Sequence, residues 1–356
     1  MVSFACSARL AAFWNVRVSG ALGAMTLALS LSAAPASAMI IHPVFDTSIT
    51  SRADAAVIES AFNTVAQVYQ SQFSNGATIN VAVSWGTVKG QSMGPELGST
   101  LDNMYGNFTY AQVKGYLTTV AAKGADAALV TALKTLPSSI SGVNQFAIAS
   151  AEAKALGLIS QTQSSKDAYI GFSNTAAFDF NPLDGITAGT YDFQTVAAHE
   201  LAEALGRITG LQSASPAYRT VLDLFRYSAP GVLSFSYNAA SYFSIDGGKT
   251  RMGDFNNAAG GGDRGDWLQL TGGSDVQSAY LTPGQRGNLT AADLTALDVM
   301  GWGGTNIGNT QMWSPTMIAR SFMGTGVPEA QTWMLMIAGF GLVGATARRR
   351  RVLAEV

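Results

Sequence analysis

The chain has 356 residues, with 21 Lys and Arg against 23 Asp and Glu and a formal net charge of −2. Apart from Arg348, Arg349, Arg350 and Arg351 it carries no basic run, which argues against nucleic acid as a partner. Its single cysteine, Cys6, leaves no internal disulfide and no multi-thiolate metal site, so a metal held in the body of the chain needs nitrogen and oxygen donors.

The first 38 residues contain no acidic side chain. Arg9 and Arg17 precede an apolar run from Ala21 to Ala34, which closes on Ala36-Ser37-Ala38, the small-x-small pattern that signal peptidase reads. That run is shorter than the roughly 20 residues a spanning helix needs. Residues 1–38 are therefore expected to be a signal peptide cleaved after Ala38.

From Arg52 to Phe73 the apolar residues Val57, Ile58, Ala61, Phe62, Val65, Val68 and Tyr69 recur at helical spacing. Thr78–Val88 alternates and is rich in β-branched residues, which predicts a strand. Helices are expected near 109–122 and 125–136, and short strands at 145–150 and 168–173. Asp192 is placed to cap a helix over 192–206, with Val196, Leu201, Ala204 and Leu205 on one face and Gly206 at its end. Residues 210–290 read as loop-rich, and a last helix at 290–300 begins at Thr290. Residues 303–326 have the character of a linker. The expected class is α+β, a mixed sheet with backing helices and an irregular C-terminal half.

His199-Glu200-Leu201-Ala202-Glu203 is the segment that points to chemistry. Positions i and i+4 on a helix share a face, so His199 and Glu203 can grip one ion. Glu200, one place on from the first ligand, is positioned to act as general base toward a water activated by the metal. The segment resembles the zincin signature HExxHxxG, with Gly206 where metzincins keep their glycine and Glu203 in place of the second histidine. Thr209 stands where the third metzincin ligand would fall. Only His42 remains as another histidine, near what reads as a flexible end of the mature chain, so the third ligand is expected to be a carboxylate. Asp223, in Val221-Leu222-Asp223-Leu224-Phe225-Arg226, is the residue chosen, because its distance from Glu203 is similar to that of the acidic ligand on a second helix of gluzincins. Asp246 and Asp263 are its alternatives. Arg226 is read as holding a carboxylate or meeting oxyanion charge, and Tyr227 or Tyr242 as hydrogen-bonding a tetrahedral intermediate.

The surrounding text, YDFxxVAAHE, LGR, LDLFRYSAPG and YFSIDGG, resembles a family of metallopeptidases that carry PEP-CTERM signals, over about Phe178 to Trp302. The C-terminal end fits that likeness. Gly326-Val327-Pro328-Glu329, an apolar stretch from Trp333 to Ala347, and Arg348–Arg351 are similar to the PEP-CTERM sorting signal, with Ala330 where a second proline is usual. The resemblance implies a zincin-like domain over 39–302 and a sorting tail with a short membrane segment over 327–356. It also implies handling by signal peptidase and an exosortase-type enzyme, with transient anchoring in the inner membrane. The destination would be the cell surface or beyond. The function it implies is a zinc peptidase with protein or peptide substrates, Glu200 as catalytic base, and metal ligands His199, Glu203 and Asp223. A rival reading is a non-catalytic surface or matrix protein on a decayed peptidase fold. Asp246, Asp254, Asp263 and Asp266, set among glycines, form an oxygen-rich segment that could hold calcium, although turn residues explain them too.

Overall fold

The structure, a computed structural model, describes residues 38–124, 127–143, 145–257, 262–268 and 275–304. Nearly all of the expected signal peptide, most of the 303–326 linker and the whole 327–356 tail lie outside the described residues. Among the described residues no helix is long and apolar enough to cross a membrane.

A four-stranded mixed sheet forms the centre, and the class is α+β. Ile40–Phe45, Thr78–Trp85 and Ala168–Phe172 run parallel, in that order. Gly98–Asp102 closes the sheet antiparallel to Ala168–Phe172 and forms its edge. Thr78–Trp85 is one of the two inner strands, and its residues suit that place: Ile79, Val81 and Val83 are wholly buried. The strand stops at Gly86, whose φ of +72° turns the chain, so that Thr87–Val88 pairs with Gln91–Ser92 instead of extending the expected 78–88 strand. His42 lies not on a flexible end but on the ordered edge strand Ile40–Phe45, where its ring faces Asn80.

Helix Ala55–Gln72 packs against Ile40–Phe45, and helix Phe193–Ala204 packs against Gly98–Asp102 and Ala168–Phe172. The two helices also touch each other, so the apolar stripe read at 52–73 is spent on the sheet and on its neighbour helix. Tyr69 donates its hydroxyl to the carbonyl of Ala198 at 2.8 Å and so fixes the second helix to the first. Beside the sheet, Lys154 on the short helix Ser150–Ala155 and Asp167, just before the strand Ala168–Phe172, form a fully buried ion pair at 2.6 Å. The Lys154 ammonium also donates to the carbonyls of Thr78 and Gln163, so its charge is compensated on three sides.

The C-terminal half is irregular, as expected. Its regular part is a small antiparallel sheet of Val232–Leu233, Arg226–Ala229, Tyr242–Phe243 and Gly253–Asp254. Thr290 and Asp293 form a capping box on helix Ala291–Leu297. The chain then runs through Asp298–Trp302 to the buried Trp302, whose Nε1 donates to the carbonyl of Leu205 at 3.0 Å.

Candidate metal centre

The His199 helix is fixed at both ends. At its start Asp192 accepts from the Gln194 amide at 3.1 Å and from the Thr195 hydroxyl at 2.5 Å. Phe193 packs its ring on Phe172 at 4.7 Å and on Phe180 at 5.0 Å, anchoring the first turn in an aromatic cluster. At its end the Arg207 amide donates to Ala202 at 3.0 Å and the Gly206 amide to Glu203 at 2.6 Å. That pair of bonds, with φ of +99° at Gly206, is a Schellman cap. A Cβ at position 206 would also stand 3.0 Å from Cβ of Glu152, so two constraints select glycine there.

One turn of this helix presents His199, Glu200 and Glu203 together, with one candidate ligand atom from each lying within 4.8 Å of the others. The His199 Nε2 is 3.7 Å from Oε1 of Glu203. They open on a cavity of about 570 Å³, lined also by Pro95 to Thr100, Tyr191, Asp263, Asp266, Val276 and Tyr280.

The His199 imidazole is held in the form that binds a cation. Nδ1 of His199 lies 2.8 Å from the carbonyl of Val276; a carbonyl only accepts, so Nδ1 carries the proton and Nε2 turns its lone pair to the cavity. Burial, and secondarily the Arg207 charge, pull the His199 pKa down to about 4, so the ring is neutral at ordinary pH. Burial pushes Glu200 up to about 7, against the opposing effect of hydrogen bonds from Thr100 and Glu203. Thr100, on the edge strand, donates to Oε2 of Glu200 at 2.7 Å. Glu203 and Asp266 are each raised well above the usual carboxylate range, by burial first and then by neighbouring carboxylates. A half-enclosed site lined with mutually repelling oxygens and one imidazole nitrogen is the donor set that a divalent cation relieves.

Asp223 is not part of this group. It sits on a single 3-10 turn, Leu222–Phe225, and not on the second helix that the gluzincin likeness implied. Its carboxylate is fully buried and its oxygens are spent on the Thr209 hydroxyl, the Gly210 amide at 3.0 Å and the Thr220 amide at 2.9 Å. The residue braces the loop that follows the helix, and Thr209, at the metzincin ligand position, is one of its donors. Arg226 lies 3.9 Å from Asp223 and donates to Ser241 and to the carbonyl of Arg264, and it does not line the cavity. Tyr242 gives its hydroxyl to the carbonyl of Gly248, and neither it nor Tyr227 lines the cavity.

The four aspartates weighed as a calcium site do not converge, and most serve their own turns, the other reading given to them. Asp246 accepts from Ser244, Thr250 and two backbone amides of its own turn, and Asp254 pairs with Arg251. Asp263 accepts from Gln212 and from the Gly265 amide, although it does reach the cavity wall. Asp266 faces His199 instead.

The sequence reading missed Thr100, Gly98 and the cavity role of Asp266. Gly98 is needed for the edge strand to approach: an added Cβ would stand 2.7 Å from both Cγ and Cδ of Glu200. No family model, no curated protein and no solved structure matches the chain.

Proposed function

We propose that the chain is a zincin-like, zinc-dependent peptidase acting outside the cytoplasm, with His199 and Glu203 as metal ligands and Glu200 as general base. The observation that carries this reading is the convergence of His199, Glu200 and Glu203 on one cavity wall, with the imidazole tautomer fixed by Val276. A zinc ion in such a site lowers the pKa of a water molecule to about 7 and polarises a scissile carbonyl. Glu200, oriented by Thr100, takes the proton of the attacking water and returns it to the leaving amine.

A peptide is the favoured substrate class because of the strand beside the site. Gly98–Asp102 is the outermost strand of its sheet, and its first residues line the cavity. An extended peptide laid along such an edge gains main-chain hydrogen bonds and brings one of its carbonyls past Glu200. Glu203 in place of a histidine is the one feature that favours the rival, a non-catalytic protein on the same fold, since an extra carboxylate lowers the net charge of the site and weakens water activation.

The test is metal analysis of the purified full chain, followed by hydrolysis of a broad peptide library with added zinc, before and after a chelator. Chelator-sensitive cleavage supports the peptidase. Bound zinc without cleavage overturns it in favour of the non-catalytic reading.

A further inference from the structure

We infer that Asp266 is the third protein ligand of the ion held by His199 and Glu203, an inference that rests on the metal reading of that site. The spacing comes first. Ligands about 2.1 Å from a tetrahedral zinc stand about 3.4 Å from one another. Oδ1 of Asp266 lies 3.5 Å from Nε2 of His199, and Oε1 of Glu203 lies 3.7 Å from the same nitrogen. Both oxygens are too far for a good hydrogen bond and close to the edge length of a zinc tetrahedron.

The second observation is that Asp266 is buried and its carboxylate has no hydrogen bond among the described residues. Its side chain is 5 % exposed and lines the cavity, and its partners are His199 at 3.5 Å and the Arg207 guanidinium at 4.0 Å. Every other aspartate weighed for the site spends its oxygens locally: Asp223 on Thr209, Gly210 and Thr220, Asp263 on Gln212 and Gly265, Asp246 on its own turn. A buried carboxylate without donors is costly unless something else satisfies it.

Arg207 accounts for the other side. Its side chain is wholly buried, stacked over Trp267 at 4.4 Å, and none of its three nitrogens makes a hydrogen bond among the described residues. The guanidinium thus sets a positive charge behind Asp266 without occupying its lone pairs, leaving those directed at the cavity. Asp266 stands outside the group formed by His199, Glu200 and Glu203. A cation among these carboxyl groups relieves the repulsion between their ionised forms.

The experiment replaces an oxygen donor by sulfur. In a Cys6→Ser background, which removes the sole native thiol, Asp266→Cys and Asp223→Cys are each loaded with cobalt(II). A thiolate-to-cobalt charge-transfer band in Asp266→Cys, absent from Asp223→Cys, is the expected result. Zinc titration by calorimetry runs in parallel on the full chain, with Asp266→Asn expected to bind at least tenfold more weakly and Asp223→Asn to bind like the parent. If the parent and His199→Ala alike bind no zinc, the metal reading itself fails. If the parent binds zinc, His199→Ala does not, and Asp266→Cys shows no charge-transfer band, Asp266 is not a ligand and the metal reading survives without it.

Discussion

Gly98 and Glu200 fill a single space: any side chain at position 98 would stand where the Glu200 carboxylate now lies, with Cγ and Cδ of the glutamate 2.7 Å from the added carbon. The edge strand and the site helix can approach this closely only because residue 98 is bare. Gly98→Ala is therefore expected to shift Glu200 by about an ångström, a misplacement that costs on the order of 10²-fold in rate. Zinc content should stay at the parent level, since the three atoms nearest the added carbon all belong to Glu200 and none to His199 or Glu203. Steady-state kinetics alongside metal analysis checks both halves, and unchanged kcat/KM would reject the assignment of Glu200 as base.

Glu200→Gln keeps the shape and the contact with Thr100 but cannot take a proton. Turnover should fall about 10²–10⁴-fold while folding and bound zinc stay near normal. Loss of zinc in this variant would mean that Glu200 is a ligand instead.

His199→Ala should abolish zinc binding, and with it the rise in melting temperature that added zinc gives the parent. Glu203→His replaces an oxygen donor by a nitrogen at the same helical position and should raise zinc affinity. Calorimetric titration of the two variants decides: equal affinity in the parent and Glu203→His would remove Glu203 from the ligand set.

The metal-free protein should lose stability as pH rises from 5 to 8. Burial raises Asp192 to about 6, Glu200 to about 7 and Asp275 to about 8, all above the value near 4 expected in an unfolded chain. A raised carboxyl pKa means the folded state holds the proton more tightly, so the stability it lends is complete below about pH 4 and disappears as pH passes the folded value. His199, lowered to about 4, acts in the opposite direction and is outnumbered by the raised carboxyls. Thermal unfolding in chelator at pH 5 and pH 8 should give the lower midpoint at pH 8. Added zinc should narrow the gap because it binds the ionised carboxylates, and a higher midpoint at pH 8 in chelator would contradict the account.

Helices with strong apolar periodicity were legible in the sequence, and so were their caps. Asp192, Gly206 and Thr290 all act at the ends they were read to mark. The edge strands were not legible. Gly98–Asp102 (GSTLD) is half-exposed along most of its length, so no alternation betrays it. Ile40–Phe45 contains Pro43, which lowers its strand signal and is tolerated because the strand lies at a sheet edge. Helical spacing sufficed to bring His199, Glu200 and Glu203 together, because one turn of one helix supplies all three. Asp223 was misplaced because separation along the chain carries no direction, and the turn that holds it aims the carboxylate at its own loop. Asp266 was hidden among glycine-flanked aspartates, where turn preference explains each residue equally well.

The glycine of the signature has a consequence for how such motifs are read. Gly206 is imposed by left-handed backbone geometry and by the wall of Glu152 behind it, and it touches no part of the chemistry. Selection on shape alone would preserve it through any drift at positions 199, 200 and 203. In a set of chains sharing this architecture, the glycine would mark descent and the histidine–glutamate pair would mark activity, so the two halves of one short motif would record separate histories.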